Sequence, residues 1–278
     1  MATKKSAPTT AVRTYYGCSG ARGPLETYGK RHELLELDVL DEREGKKKPK
    51  SGGTVHAATL RKWRKEAGPR LVFSLVAPAA VSAVRPTKEL DAALERLLEA
   101  QRLLQARFIV LATPVEVTPA ALPRERLAKV VARIREGLGE ASAMVHVVWQ
   151  PRGVWEMDSA AEFAHELGVD LCADPLADPR EPFWDESLRY LRLSAIGGRG
   201  VFPATRLRGI AELLAASQRD ADRAGESFER AVVFTTPQAP KEAKRLRLLV
   251  AQLTSRSVKG GEGRVITPKN RLAREEEE

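Results

Sequence analysis

Cysteine and histidine are both scarce in this chain, with two and four respectively in 278 residues. Neither Cys18 and Cys172 nor His32, His56, His146 and His165 fall at the spacing of zinc ligands, so no metal site is expected, and no motif identifies another cofactor. Two cysteines near the ends of separate strands also exclude a disulfide framework, and both are expected as buried thiols. No run of 18 apolar residues occurs, which excludes a hydrophobic spanning helix. The opening decapeptide, with Lys4, Lys5 and Pro8, lacks the apolar segment of a secretory signal. A cytoplasmic protein with no membrane partner is the expectation.

What is present suits one large α/β domain. The length matches a β/α barrel of about 250 residues, and a 43% hydrophobic fraction is enough for a core. The net charge of +9 is local: Lys4, Lys5 and Arg13 carry part of it, and Arg43, Lys46, Lys47, Lys48 and Lys50 against Glu44 carry most of the rest. A broad phosphate-tracking surface is therefore not indicated, although the loop 43–53 offers Lys46, Lys47, Lys48 and Lys50 to nucleic acid or another anion. No aromatic residue is interleaved with those lysines, which argues against a stacking platform for single strands. Residues 1–13 read as a disordered basic arm, 14–255 as the folded domain, and 256–278, ending in four glutamates, as a disordered tail.

Between the tails, strand and helix patterns alternate. Strands are expected at 15–19, 33–40, 71–76, 108–111, 144–149, 169–173, 188–193 and 231–234. The clearest helix is 88–106, where Leu90, Leu94, Leu97, Leu98 and Leu104 make one apolar face. Thr118-Pro119 predicts a helix start, a capping hydroxyl followed by proline at the first helical position. Leu127, Val130, Val131, Ile134 and Leu138 then form the buried side. Ser159 to Glu162 reads as a capping box opening the next helix, a further helix is expected over about 205–217, and Ala239-Pro240 begins the last. Eight rounds of strand and helix predict a (β/α)8 TIM barrel, a single domain with disordered tails.

The second strand organises the reading. Alternation places Leu35, Leu37 and Val39 on one face and Glu36, Asp38 and Leu40 on the other. Two carboxylates on a strand buried on both faces are unexpected unless they line a site. In Leu191-Arg192-Leu193 the same alternation sends the leucines toward helices and Arg192 into the barrel, where it would compensate the acids.

The order of short signatures along the chain resembles the domain-of-unknown-function-72 (DUF72), or YecE-like, TIM-barrel proteins. They are Tyr16-Gly17-Cys18-Ser19-Gly20, Leu35-Glu36-Leu37-Asp38 in place of Val-Glu-Ile-Asn, Thr59-Leu60-Arg61-Lys62-Trp63, Phe73-Ser74-Leu75-Val76-Ala77-Pro78, Ala173-Asp174, Tyr190-Leu191-Arg192-Leu193, and Phe234 with Ala239-Pro240 and Ala243. The resemblance implies a TIM barrel and, since the family has no assigned reaction, implies none here. The departures are informative. The lysine usual after the third strand is Val76, the Glu-Phe-Arg-His segment of the fifth is His146-Val147-Val148-Trp149, the His-Gly after the seventh is Ser194-Ala195, and the paired asparagines after the eighth are Thr235-Thr236. Relatives' chemistry is therefore expected to be altered or lost.

Ligands of such barrels sit at the C-terminal ends of the strands. Collected there are Glu36, Asp38 and Asp174 as candidate catalytic carboxylates. Arg192, Ser194, Gly197, Gly198, Arg199, His146, Thr235 and Thr236 are candidate ligand-binding residues. One reading is a site for a small anionic or phosphorylated ligand, with Arg192 and the Gly197–Gly200 loop as clamp and a carboxylate as base. The other is a structural ion pair in the barrel interior, in a scaffold that works through loop 43–53 on nucleic acid or protein.

Overall fold

The structure is a computed structural model that describes residues 12–21, 23–38, 40, 55–175, 188–194 and 201–259. Eight parallel strands close into a ring in chain order. They are β1 (Arg13–Ser19), β2 (Leu34–Leu37), β3 (Val72–Val76), β4 (Phe108–Ala112), β5 (His146–Gln150), β6 (Asp170–Ala173), β7 (Tyr190–Leu193) and β8 (Glu229–Phe234). Pairing of β8 with β1, from Arg13 opposite Glu229 to Cys18 opposite Phe234, seals the barrel. The helices are α1 (Leu25–Gly29), α2 (Ala57–Ala67), α3 (Ala79–Ser82), α4 (Lys88–Leu104), α5 (Ala121–Leu138), α6 (Met157–Leu167), α7 (Ala204–Ala224) and α8 (Ala239–Lys259), and they form the outer layer. The expected TIM barrel is present.

Strand alternation divides the core in two. The outward set, including Leu35, Leu37, Phe73, Leu75, Ile109, Leu111, Leu191 and Leu193, packs against the apolar faces of the helices. The inward set, with Tyr15, Leu34, Phe108, Val110, Val148, Cys172, Tyr190, Ala231 and Val233, fills the barrel as a packed core. Both cysteines are buried, and neither is in a disulfide. Cys18 belongs to the outward layer, where its backbone N–H donates to the Tyr28 hydroxyl at 3.0 Å. Cys172 belongs to the inward one.

Of the helix faces expected from sequence, Leu127, Val130, Val131, Ile134 and Leu138 of α5 are buried, as are Leu90, Leu94, Leu97 and Leu104 of α4, with Leu98 partly so. The helix starts differ. α5 begins at Ala121, after Ala120, and Thr118 caps nothing. A start at Pro119 would put Pro123 one turn inside, where the helix needs an N–H that proline lacks; the observed start leaves Pro123 among the first-turn residues whose N–H groups are unbonded anyway. α6 begins at Met157, so Ser159 lies inside it. Trp155 sets that entry: its indole N–H donates to the Val117 carbonyl at 2.6 Å and its ring stacks on Phe163. β1 takes in Arg13 and α8 runs to Lys259, while residues 1–11 and 260–278, where the basic arm and the acidic tail were expected, lie outside the described residues.

A buried cation braces the far side of the ring. Arg230 of β8 donates to the Leu188 carbonyl and to the Ser217 hydroxyl, both at 2.5 Å, tying β8 to α7 and to the start of β7. Burial pushes its guanidinium down to about 10. It is still charged at neutral pH.

Candidate functional site

Near the C-terminal mouth, inward positions of four strands bring polar side chains together inside an otherwise apolar ring. Glu36 of β2 is fully buried. Its Oε1 accepts from Arg192 of β7, at 3.2 Å from Nε and 3.1 Å from a terminal guanidinium nitrogen. Its Oε2 accepts the Tyr190 hydroxyl at 2.8 Å. Tyr190 is also 2.7 Å from the hydroxyl of Ser74 on β3, and Arg192 donates to Oε1 of Gln150 on β5 at 2.8 Å. Every buried side-chain nitrogen or oxygen among the described residues has a partner.

The electrostatics follow from burial and pairing. Desolvation alone would lower the Arg192 guanidinium, but the Glu36 carboxylate, together with the neighbouring Cys172 and Tyr190, outweighs it and holds Arg192 above its ordinary value. Tyr190 is raised well above its ordinary value, by burial first and then by Glu36. It stays a neutral donor. The Arg192 side chain retains 15% exposure, whereas the Glu36 side chain retains none. Of the pair, only the arginine reaches the protein surface.

Around this pair lie some of the expected rim residues. The Ser194 N–H donates to Asp174 Oδ2 at 2.9 Å, and the Ser194 hydroxyl is 3.2 Å from that of Thr235, which in turn donates to the Leu193 carbonyl. The Thr236 hydroxyl donates to Glu242, a buried carboxylate in the first turn of α8 that also accepts the Phe202 N–H at 2.9 Å. Thr236 is thus engaged by an acid rather than turned toward an anion. Asp38 is exposed just beyond β2. Leu40 belongs to the outward core, not to the face of Glu36, because β2 ends at Leu37 and alternation does not continue past it. Gly197, Gly198, Arg199, Lys46, Lys47, Lys48 and Lys50 lie outside the described residues.

His146 is a correction. It is the first residue of β5, at the opposite, N-terminal end of the barrel, because the strand starts two residues later than the apolar run suggests. There it joins a second polar network. Its Nδ1 lies 2.9 Å from Asp170 Oδ2 and its ring stacks on Phe108. Glu229 accepts from Arg107 at 2.6 Å and 3.1 Å on Oε2, and from the Tyr15 hydroxyl at 2.8 Å on Oε1.

Partial burial raises Glu229, but the hydrogen bonds from Arg107 and Tyr15 and the nearby charges prevail, so its carboxyl is held below the usual range. A carboxylate with a depressed folded value stabilises the protein above its unfolded value, about 4.3, and that contribution is lost as the pH falls through the lower folded value. Between pH 5 and 3, urea midpoints of the parent are expected to fall more steeply than those of Glu229→Gln. Parallel slopes would show that Glu229 is not linked to acid unfolding.

Three partners in the mouth were not singled out from the sequence: Ser74, Gln150 and Tyr190. Each carries a signal. Ser74 is a polar residue within an apolar strand, Tyr190 stands two positions before Arg192 and so shares its face, and Gln150 lies one residue past the expected end of β5.

No sequence-family model and no curated protein matches the chain. Solved structures do. A DUF72 family protein from Enterococcus faecalis V583 superposes with a TM-score of 0.60 at 12% identity, over 88% of this chain and 98% of the other. One from Thermotoga maritima MSB8 does so with a TM-score of 0.60 at 12% identity, over 86% and 99%. The chain has the fold of the DUF72 proteins. A D-allulose 3-epimerase from a Methylomonas species, solved in complex with D-allulose, shares it too, with a TM-score of 0.58 at 12% identity over 87% and 99%. At such identities the likeness to DUF72 proteins and epimerases is one of barrel architecture, and chemistry must be argued from side chains.

Proposed function

We propose that the mouth of this DUF72-like barrel holds a small anionic or phosphorylated ligand on Arg192, with Ser194 and Thr235 beside it, and that it does so without turnover. The supporting observation is the arrangement of the buried pair. Glu36 has no exposed surface and accepts a hydrogen bond on each oxygen, so it orients Arg192 and takes no proton from a ligand. Arg192 keeps an accessible edge and a stabilised charge, the properties of an anion anchor. Among the described residues no group of three or more His, Cys, Asp or Glu side chains is placed to hold a metal ion. A neutral sugar such as the D-allulose bound by the Methylomonas neighbour finds no counterpart to this charge.

Calorimetric titration of the intact protein with inorganic phosphate tests the reading. The parent is expected to bind saturably, and Arg192→Met to lose the component of that binding that belongs to the mouth. Since Arg192→Met strands a buried carboxylate, Glu36→Gln/Arg192→Met serves as the folded, neutral control and should show the same loss. Unchanged phosphate binding by the folded double variant, or none by the parent, would refute the site. Salt-sensitive retention of duplex DNA in place of phosphate binding would favour the basic loop as the functional element.

A further inference from the structure

A concave, cationic feature lies away from the mouth. At the N-terminal end, between β1, β3 and the C-terminal ends of α2 and α4, lies a cavity of about 680 Å3. Five arginines line it, Arg13, Arg64, Arg70, Arg102 and Arg107, against a single carboxylate, Glu229. Such a volume falls within the range of small-molecule sites, about 300–1,000 Å3.

The arginines divide by what they already do. Arg64 is turned to the backbone, donating to the carbonyls of Gly68, Leu71 and Leu104, where it offsets exposed helix-end carbonyls. Arg107 is committed to Glu229, and Tyr15 takes the other oxygen of that carboxylate. The one acid of the cavity is therefore neutralised from within. Arg13, Arg70 and Arg102 are exposed, and no carboxylate among the described residues pairs with any of them. Arg13 lies over the Tyr15 ring, and Arg102 donates to a carbonyl of its own helix. Met144 and Val145 supply an apolar wall, and Met144 is largely exposed.

We propose that this cavity is a second binding site, for a nucleotide-sized molecule bearing two or more phosphate groups. Three arginines, from β1, from α4 and from the turn before β3, border one concavity with no carboxylate partner among the described residues. Guanidinium forks suit phosphate oxygens in bidentate geometry, and the apolar wall gives the uncharged part of such a ligand a dry surface. A concave pocket with a floor formed by Leu71, Val72 and Ala106 encloses a compact polyanion; an extended nucleic-acid backbone needs a charged track along the surface instead. The site is independent of Arg192, which lies at the other end of the same barrel.

The experiment is calorimetric titration of the intact protein with pyrophosphate and with adenosine diphosphate. Saturable binding of both is expected, with Arg70→Gln/Arg102→Gln weakening it by about tenfold or more, the loss of roughly one charge-assisted contact. Both side chains are exposed, so urea denaturation of this variant should match the parent. In the Glu36→Gln/Arg192→Met background, which removes the mouth as a competing anion site, pyrophosphate and adenosine diphosphate should still bind saturably. The proposal is overturned if neither ligand saturates the parent at millimolar concentration. It is overturned equally if the arginine variant binds as tightly as the parent, or if the mouth variant is the one that loses binding.

Discussion

Arg192→Met is expected to destabilise the barrel by about 3–5 kcal/mol, the loss typical of breaking a buried ion pair from one side. Glu36 would remain without exposed surface and without its cation, and Gln150 would lose its donor. Glu36→Gln in the same background should recover most of that loss. A glutamine at this position still accepts from Tyr190, and the buried charge is gone. Urea denaturation of parent, both single variants and the double variant closes a thermodynamic cycle, and a coupling of several kcal/mol is expected. A loss of no more than about 1 kcal/mol for the single variant, as for an exposed pair, would mean that water reaches the carboxylate and that Arg192 is not held as described.

Gly17→Ala should be as severe, for a steric reason. Gly17 lies opposite Leu34 in the β1–β2 pairing, and a Cβ there would sit 1.8 Å from the Leu34 carbonyl oxygen and 2.8 Å from its Cβ. Neither strand can retreat, because each is also paired on its other side in a closed ring. A loss of at least about 3 kcal/mol, or failure to accumulate folded protein, is expected. Gly209→Ala provides the contrast. Gly209 lies within α7 with no atom near a Cβ, so alanine should stabilise by about 0.5–1 kcal/mol through helix propensity. Equal urea midpoints for the two variants would contradict the packing at Gly17.

How much of this was legible in the sequence differs from element to element. Period-2 alternation, present in the letters alone, placed Leu191 and Leu193 outward and Arg192 inward, as found. Period-3.6 spacing likewise marked the buried face of α5 before its neighbours were known. Where an element begins was less legible. Thr118 looked like a cap because its side chain can act as one, and only the missing N–H of Pro123, one turn on, shows why the helix starts later. His146 was assigned to the wrong end for a related reason: the apolar run from Met144 extends the pattern by two residues that lie outside the strand.

The sequence by itself determined the order of elements, the count of strands and the face on which side chains lie within the regular strands and helices, because these follow from local periodicity and from steric limits within a few residues. Only the tertiary structure decided which inward residues meet. Glu36 reaches Arg192 across 156 positions, and Arg107 reaches Glu229 across 122. Such partners are set by the register of the strands and the closing of β8 on β1, quantities that depend on the whole ring and leave no trace in any short stretch of chain. The cavity between β1, β3, α2 and α4 has the same origin: its arginines are scattered in the sequence, and packing alone brought them together.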